Sequence, residues 1–185
     1  MALEEQVVEK LIEKNLHISF AESCTGGMCC GTIINVTNAS KVLDVSFVTY
    51  ANEAKIEFLG VKADTILSNG VVSEEVACEM AQGVANAAKS DVGVGITGIA
   101  GPGGGTAKKP VGMVCFGFSI CGKTTTYTCQ FGEIGRNQVR KSSVEFVMGK
   151  SLTAALHGRK QTMPDITDKI TQEYDASQIQ VLEGL

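Results

Sequence analysis

The sequence predicts an α/β protein: a three-layer α/β/α sandwich with a mixed, mostly parallel sheet and one C-terminal β-hairpin. Three observations carry that expectation. Stretches with helical periodicity alternate along the chain with short β-branched runs, the pattern of a sheet covered on both faces. Leu16-His17-Ile18-Ser19-Phe20 leads into a polar turn closed by Gly26-Gly27 and then into a helical stretch. Residues 111–120 and 124–130 read as strands joined by the turn Cys121-Gly122-Lys123, and that hairpin forces at least one antiparallel pairing.

Each element has its own reason. Leu3, Val7, Val8, Leu11 and Ile12 share one helical face opposite Glu and Lys, so a first amphipathic helix ends near Asn15. A buried strand over 16–21 follows, then the turn, then a helix from about Gly26 to Val36. The run Val45 to Ala51 is β-branched and aromatic, hence a strand. Asn52 is expected to cap a short helix that Gly60 stops. Residues 61–72 form a connector with one helical turn at 63–68, closing at Asn69-Gly70. Ser73 caps the next helix, with Glu74 and Glu75 in its first turn and Val76, Met80 and Val84 as its buried stripe, running to about Ser90. Val92 to Thr97 alternates glycine with β-branched residues, as a strand closely approached by another backbone does. The pattern from Arg136 to about Leu156 is helical, and Gly158 is expected to end it. Residues 1–158 make one domain, and 159–185 a polar extension with a weak apolar cluster at Ile179, Val181 and Leu182.

Composition narrows the function classes. The formal net charge is −4 and the basic residues are scattered, which speaks against electrostatic binding to nucleic acid or membrane surfaces. No apolar run reaches membrane-spanning length and no signal-peptide pattern opens the chain, so a soluble, cytoplasmic protein is expected. The seven cysteines form no C-x-x-C pair and only two histidines, His17 and His157, accompany them, so no metal site is expected. Most of the cysteines read as small core residues.

Two stretches carry more chemistry than connectors need. The first is Ala21-Glu22-Ser23-Cys24-Thr25-Gly26-Gly27. N–H groups at the start of the following helix would favour an anion or a developing oxyanion. Ser23 or Thr25 could equally cap that helix, with Cys24 packed inside. The second, 97–106, holds five glycines in ten residues between two strands, as suits a backbone that must approach a ligand closely. It lacks the Walker pattern.

Four blocks together resemble the C-terminal domain of the competence/damage-inducible CinA family, which also occurs alone as nicotinamide mononucleotide deamidase. They are the 21–27 block, Val48-Thr49-Tyr50-Ala51-Asn52-Glu53-Ala54-Lys55, Gly70-Val71-Val72-Ser73-Glu74-Glu75-Val76-Ala77, and Thr97-Gly98-Ile99-Ala100-Gly101-Pro102-Gly103-Gly104-Gly105 continuing to Lys109-Pro110-Val111-Gly112. The resemblance covers roughly residues 5–157. It implies hydrolysis of the carboxamide of nicotinamide mononucleotide to nicotinate mononucleotide and ammonia, with no cofactor or metal, in a homo-oligomer of two or more copies.

It also implies a serine–lysine pair, Ser23 and Lys55, with Tyr50 as a third catalytic residue. The expected substrate-binding residues are Glu22, Thr25, Gly26, Asn52, Thr97, Gly98 and Arg136. Four of them have an ordinary alternative: Lys55 a solvated lysine paired with Glu53 or Glu57, Tyr50 a half-buried strand residue, Thr97 a strand-end residue, Arg136 an exposed helix-start arginine. The family commonly shows Gly-Asp-Arg before the last helix, whereas this chain has Ile134-Gly135-Arg136, with the acidic residue displaced to Glu133 or lost. Two competing functions stand beside this one: Cys24 as a thiolate nucleophile in the same pocket, and a non-catalytic nucleotide-binding or regulatory module.

Overall fold

The computed structural model describes residues 1–157. The elements are α1 (Leu3–Lys14), β1 (Ile18–Glu22), α2 (Met28–Ile34), β2 (Phe47–Val48), α3 (Asn52–Leu59), α4 (Ala63–Asn69), α5 (Glu74–Ala88), β3 (Val92–Gly98), β4 (Met113–Ile120), β5 (Lys123–Gln130) and α6 (Arg136–His157), with a 3₁₀ turn at Ala39–Lys41. The expected end of α6 at Gly158 and the extension 159–185 lie outside the described residues.

The sheet order is β2-β1-β3-β4-β5. β1 pairs in parallel with both β2 and β3, and β3–β4 and β4–β5 are antiparallel, so only β4 runs against the other four strands. Leaving β1, the chain passes through α2 and comes back to β2; leaving β2, it passes through α3, α4 and α5 and comes back to β3 on the other side of β1. The order therefore reverses between β1 and β3. At such a switch point the two strand ends splay their loops apart and leave a crevice. Ser23 follows one of these ends and Gly98 closes the other.

Side-chain size separates the layers. Phe20, Val94 and Phe118 align across β1, β3 and β4, and with Ile18, Ile96 and Phe116 they fill a core against α1, α2 and α6. On the opposite face the same register aligns Ala21, Gly95 and Gly117. Residues this small let α5 lie against the strands. A Cβ on Gly93 would stand 2.2 Å from the Ala81 carbonyl oxygen, and one on Gly95 or Gly117 would stand 2.4 or 2.2 Å from that of Ala77. No side chain fits in that seam.

Three expectations need correction. The strand expected over 45–51 is reduced to Phe47–Val48, because other groups satisfy the β1 edge: Phe20 N–H donates to Ser46 Oγ and Ile18 N–H to the Val42 carbonyl. Asn52 does not cap α3; Ala51 holds the cap position without a side-chain bond, and Asn52 is the first helical residue. Lys123 belongs to β5, leaving Cys121 (φ 48°) and Gly122 (φ 82°) as a two-residue turn whose left-handed pair matches the hairpin twist. Ser73 caps α5 as expected, accepting from Val76 N–H at 3.3 Å. Among the described residues no helix is long and apolar enough to cross a membrane.

Candidate active site

The ladder carries β1 into the turn: Ser23 N–H donates to the Ile96 carbonyl (3.0 Å) and Thr49 N–H to that of Glu22 (2.9 Å). The chain then reverses through Gly26 (φ 61°) and Gly27 (φ 91°), and Gly26 N–H closes the turn onto the Ser23 carbonyl (3.1 Å).

Glu22 overturns the anion expectation. Its fully buried carboxylate accepts from Gly27 N–H (3.0 Å), Cys29 N–H (3.1 Å) and Cys30 N–H (2.9 Å). These are the donors expected to hold a substrate anion or oxyanion, and the chain supplies its own anion to them. Glu22 is thereby turned away from ligand binding and fastens α2 to the end of β1. Neither Ser23 nor Thr25 caps α2; Gly27 occupies the cap position.

Lys55 comes to the same turn from the other side. It is fully buried, and its Nζ donates to Ser23 Oγ at 3.2 Å, to the Thr49 carbonyl at 2.7 Å and to the Tyr50 carbonyl at 3.3 Å. The expected alternative of a solvated lysine is thus corrected: among the described residues no ion pair holds it. Burial pushes its pKa below the usual 10.5, partly opposed by the nearby Glu53 carboxylate. The lowered pKa enlarges the fraction of free amine beside a serine hydroxyl, which is what a lysine base requires.

Cys24 meets the opposite fate. Burial pushes its thiol up to about 12, so it stays protonated at neutral pH. The helix-start activation on which a Cys24 nucleophile would depend is absent, because Glu22 has taken the α2 donors.

The remaining expected residues divide into a rim and a frame. At the rim Tyr50 is 63% exposed, outside β2, and its hydroxyl accepts from Arg136 Nη2 at 3.1 Å. Arg136 Nη1 donates to the Gly101 carbonyl at 3.0 Å, so the β2–α3 loop, the start of α6 and the glycine loop meet there. Asn52 is exposed on the first turn of α3. In the frame, Thr97 is buried and gives its hydroxyl to the Val71 carbonyl (2.9 Å), holding the segment between α4 and α5 rather than facing the crevice. Gly98 packs under β4, where a Cβ would stand 2.7 Å from Val114 Cγ2. Thr25 is fully buried, and its carbonyl, with that of Cys24, is held by Arg140.

Arg140 and Lys109 were not among the expected site residues. Lys109 Nζ donates to the Asn69 and Val72 carbonyls and so fastens the glycine loop to the α4–α5 segment. The sequence signal for Arg140 is its place four residues after Arg136, on the same face at the start of a helix. Among the described residues no group of three or more His, Cys, Asp or Glu side chains could hold a metal ion.

With this geometry in view, the comparisons with known proteins agree with one another. A CinA-like protein of Kosmotoga olearia is 48% identical over 147 residues, covering 80% of this chain and 35% of that protein. The chain thus spans about a third of the length of the curated relatives it matches. Among solved structures, the competence/damage inducible protein CihA of Agrobacterium tumefaciens aligns with a TM-score of 0.78 at 35% identity, covering 83% of this chain and 96% of that one. A CinA superfamily protein of Klebsiella pneumoniae gives 0.80 at 31% identity, covering 84% and 96%. The CinA C-terminal domain profile matches residues 1–154, and the chain belongs to that family.

Proposed function

We propose that the chain is an amidohydrolase that converts nicotinamide mononucleotide to nicotinate mononucleotide and ammonia. The observation that carries this reading is the buried Lys55 ammonium nitrogen, 3.2 Å from Ser23 Oγ and without a carboxylate partner among the described residues. That distance is at the outer edge of hydrogen-bond reach, as is common before a substrate tightens a site.

The free amine of Lys55 takes the Ser23 hydroxyl proton as Oγ attacks the carboxamide carbon. The tetrahedral intermediate collapses with loss of the nitrogen, which leaves as ammonia after receiving the proton from Lys55. Water, deprotonated by the same amine, then attacks the Ser23 ester; Lys55 returns that proton to the departing Ser23 Oγ, and the acid released loses its own proton to solvent as the carboxylate. Atoms and charge balance without a cofactor. Arg136, planar and exposed at the rim beside Tyr50, suits the nucleotide phosphate. Tyr50, whose hydroxyl accepts from that guanidinium and keeps its own proton to donate, would stack on the pyridine ring or relay a proton.

The test is ammonia release from nicotinamide mononucleotide by the purified chain without added metal, beside Ser23→Ala. Release by the wild type and loss of about 10³-fold or more in the variant is the expected result. Equal release by both would discard Ser23 as the nucleophile. Nucleotide binding with no release from the wild type would replace this reading with the non-catalytic binding module.

A further inference from the structure

The proposed chemistry leaves Arg140 without a task, yet its guanidinium crosses from α6 to the turn after β1. Nε donates to the Cys24 carbonyl at 3.0 Å and Nη2 to the Thr25 carbonyl at 2.9 Å. These are the two residues that follow Ser23. The ends of the turn are tied by Ser23 N–H to the sheet and by Glu22 to α2. Its middle has less support: among the described residues, besides Arg140, the Thr25 carbonyl receives only the long Met28 N–H bond at 3.4 Å. Two consecutive left-handed glycines add little stiffness of their own.

A peptide unit is planar, so gripping its carbonyl also aims its N–H. Holding the Thr25 carbonyl aims Gly26 N–H, and that N–H closes onto the Ser23 carbonyl at 3.1 Å. A chain of contacts therefore runs from the guanidinium through one peptide plane to the backbone of the nucleophile. We propose that Arg140 is a positioning residue that holds Ser23 Oγ within reach of Lys55. The inference rests on the serine–lysine reading above. A lysine at 140 would supply one point donor in place of a rigid fork, and so only part of the grip.

The experiment compares wild type, Arg140→Lys and Arg140→Gln by steady-state ammonia release across pH, by thermal unfolding, and by the rate at which a fluorophosphonate labels Ser23, followed by intact mass. In labelling, Ser23 Oγ bonds to phosphorus, fluoride leaves, and Lys55 takes the proton. Arg140→Gln should lower kcat and the labelling rate by about 10²-fold, the cost of a misplaced reacting atom. KM should change by no more than roughly threefold, since Arg140 is assigned no substrate contact. Arg140→Lys should fall between. In Arg140→Gln the acidic limb of the pH–rate profile should move to higher pH, because a loosened turn admits water to Lys55.

Equal kcat and labelling in wild type and Arg140→Gln would overturn the role. So would a loss that merely tracks unfolding, with the pH profile unmoved. If the wild type neither releases ammonia nor labels at Ser23, the serine–lysine reading itself has failed and the Arg140 role falls with it.

Discussion

Glu22 and Lys55 flank Ser23 on opposite sides, and both are fully buried. Their surroundings differ in kind. The carboxylate receives three backbone N–H bonds at the positive end of α2. The ammonium has two carbonyls and a hydroxyl, and no carboxylate in ion-pair contact among the described residues. A buried charge matched by donors and a helix dipole is fixed in place and serves as structure. A buried ionisable group without a counter-charge is biased toward its neutral form and available for proton transfer.

Lys55→Met breaks the comparison most severely. It should reduce ammonia release by about 10³-fold, within the range for loss of a general base, while leaving urea-unfolding stability equal to or above wild type. A strongly destabilised Lys55→Met would show that the lysine is structural after all. Glu22→Gln should do the reverse and lower stability by about 3 kcal/mol, because a charge-assisted acceptor set is lost and an amide donor is turned toward N–H groups. An unchanged unfolding midpoint there would mean that the carboxylate is not what holds α2.

The pH response sharpens the contrast. The rate should rise with pH as Lys55 loses its proton, with an apparent pKa below 10.5. For stability the sign follows from proton counts. Between the lowered folded pKa and the unfolded value, the unfolded chain holds more protons, so stability rises with pH across that window. Below the folded pKa the full burial penalty remains, and Lys55→Met should abolish this pH dependence in denaturant titrations. The smallest effect belongs to Cys24→Ser, which should keep activity within about threefold, since a buried thiol at about 12 supplies no thiolate. Loss of activity in that variant with Ser23→Ala still active would reverse the nucleophile assignment.

The sequence disclosed the element order well, because helix faces and β-branched runs are local patterns. It overstated β2, since the run 45–51 is strand-like but Ser46 Oγ and the Val42 carbonyl take bonds that a longer ladder would have used. At the site, the turn 21–27 was legible as reactive from its residue types. The Ser23–Lys55 contact was not, for it joins positions 32 apart through two elements; only family resemblance paired them. Glu22 was misplaced because a carboxylate five residues before a helix N–H can fold back onto it, and spacing alone does not say whether it does. Thr97 likewise gave its hydroxyl to Val71 across the frame, a partner that sequence spacing does not reveal.

The seam of Gly93, Gly95 and Gly117 under α5 has a consequence for anyone who maps this protein by saturation mutagenesis. Those three positions would appear as an intolerant line as dark as the one expected at Ser23 and Lys55, because even alanine would drive a methyl into the helix backbone, at a cost of about 1–3 kcal/mol or more. Abundance and turnover scored side by side would separate them: the seam would fail on both counts, whereas Ser23 and Lys55 would fail on turnover alone.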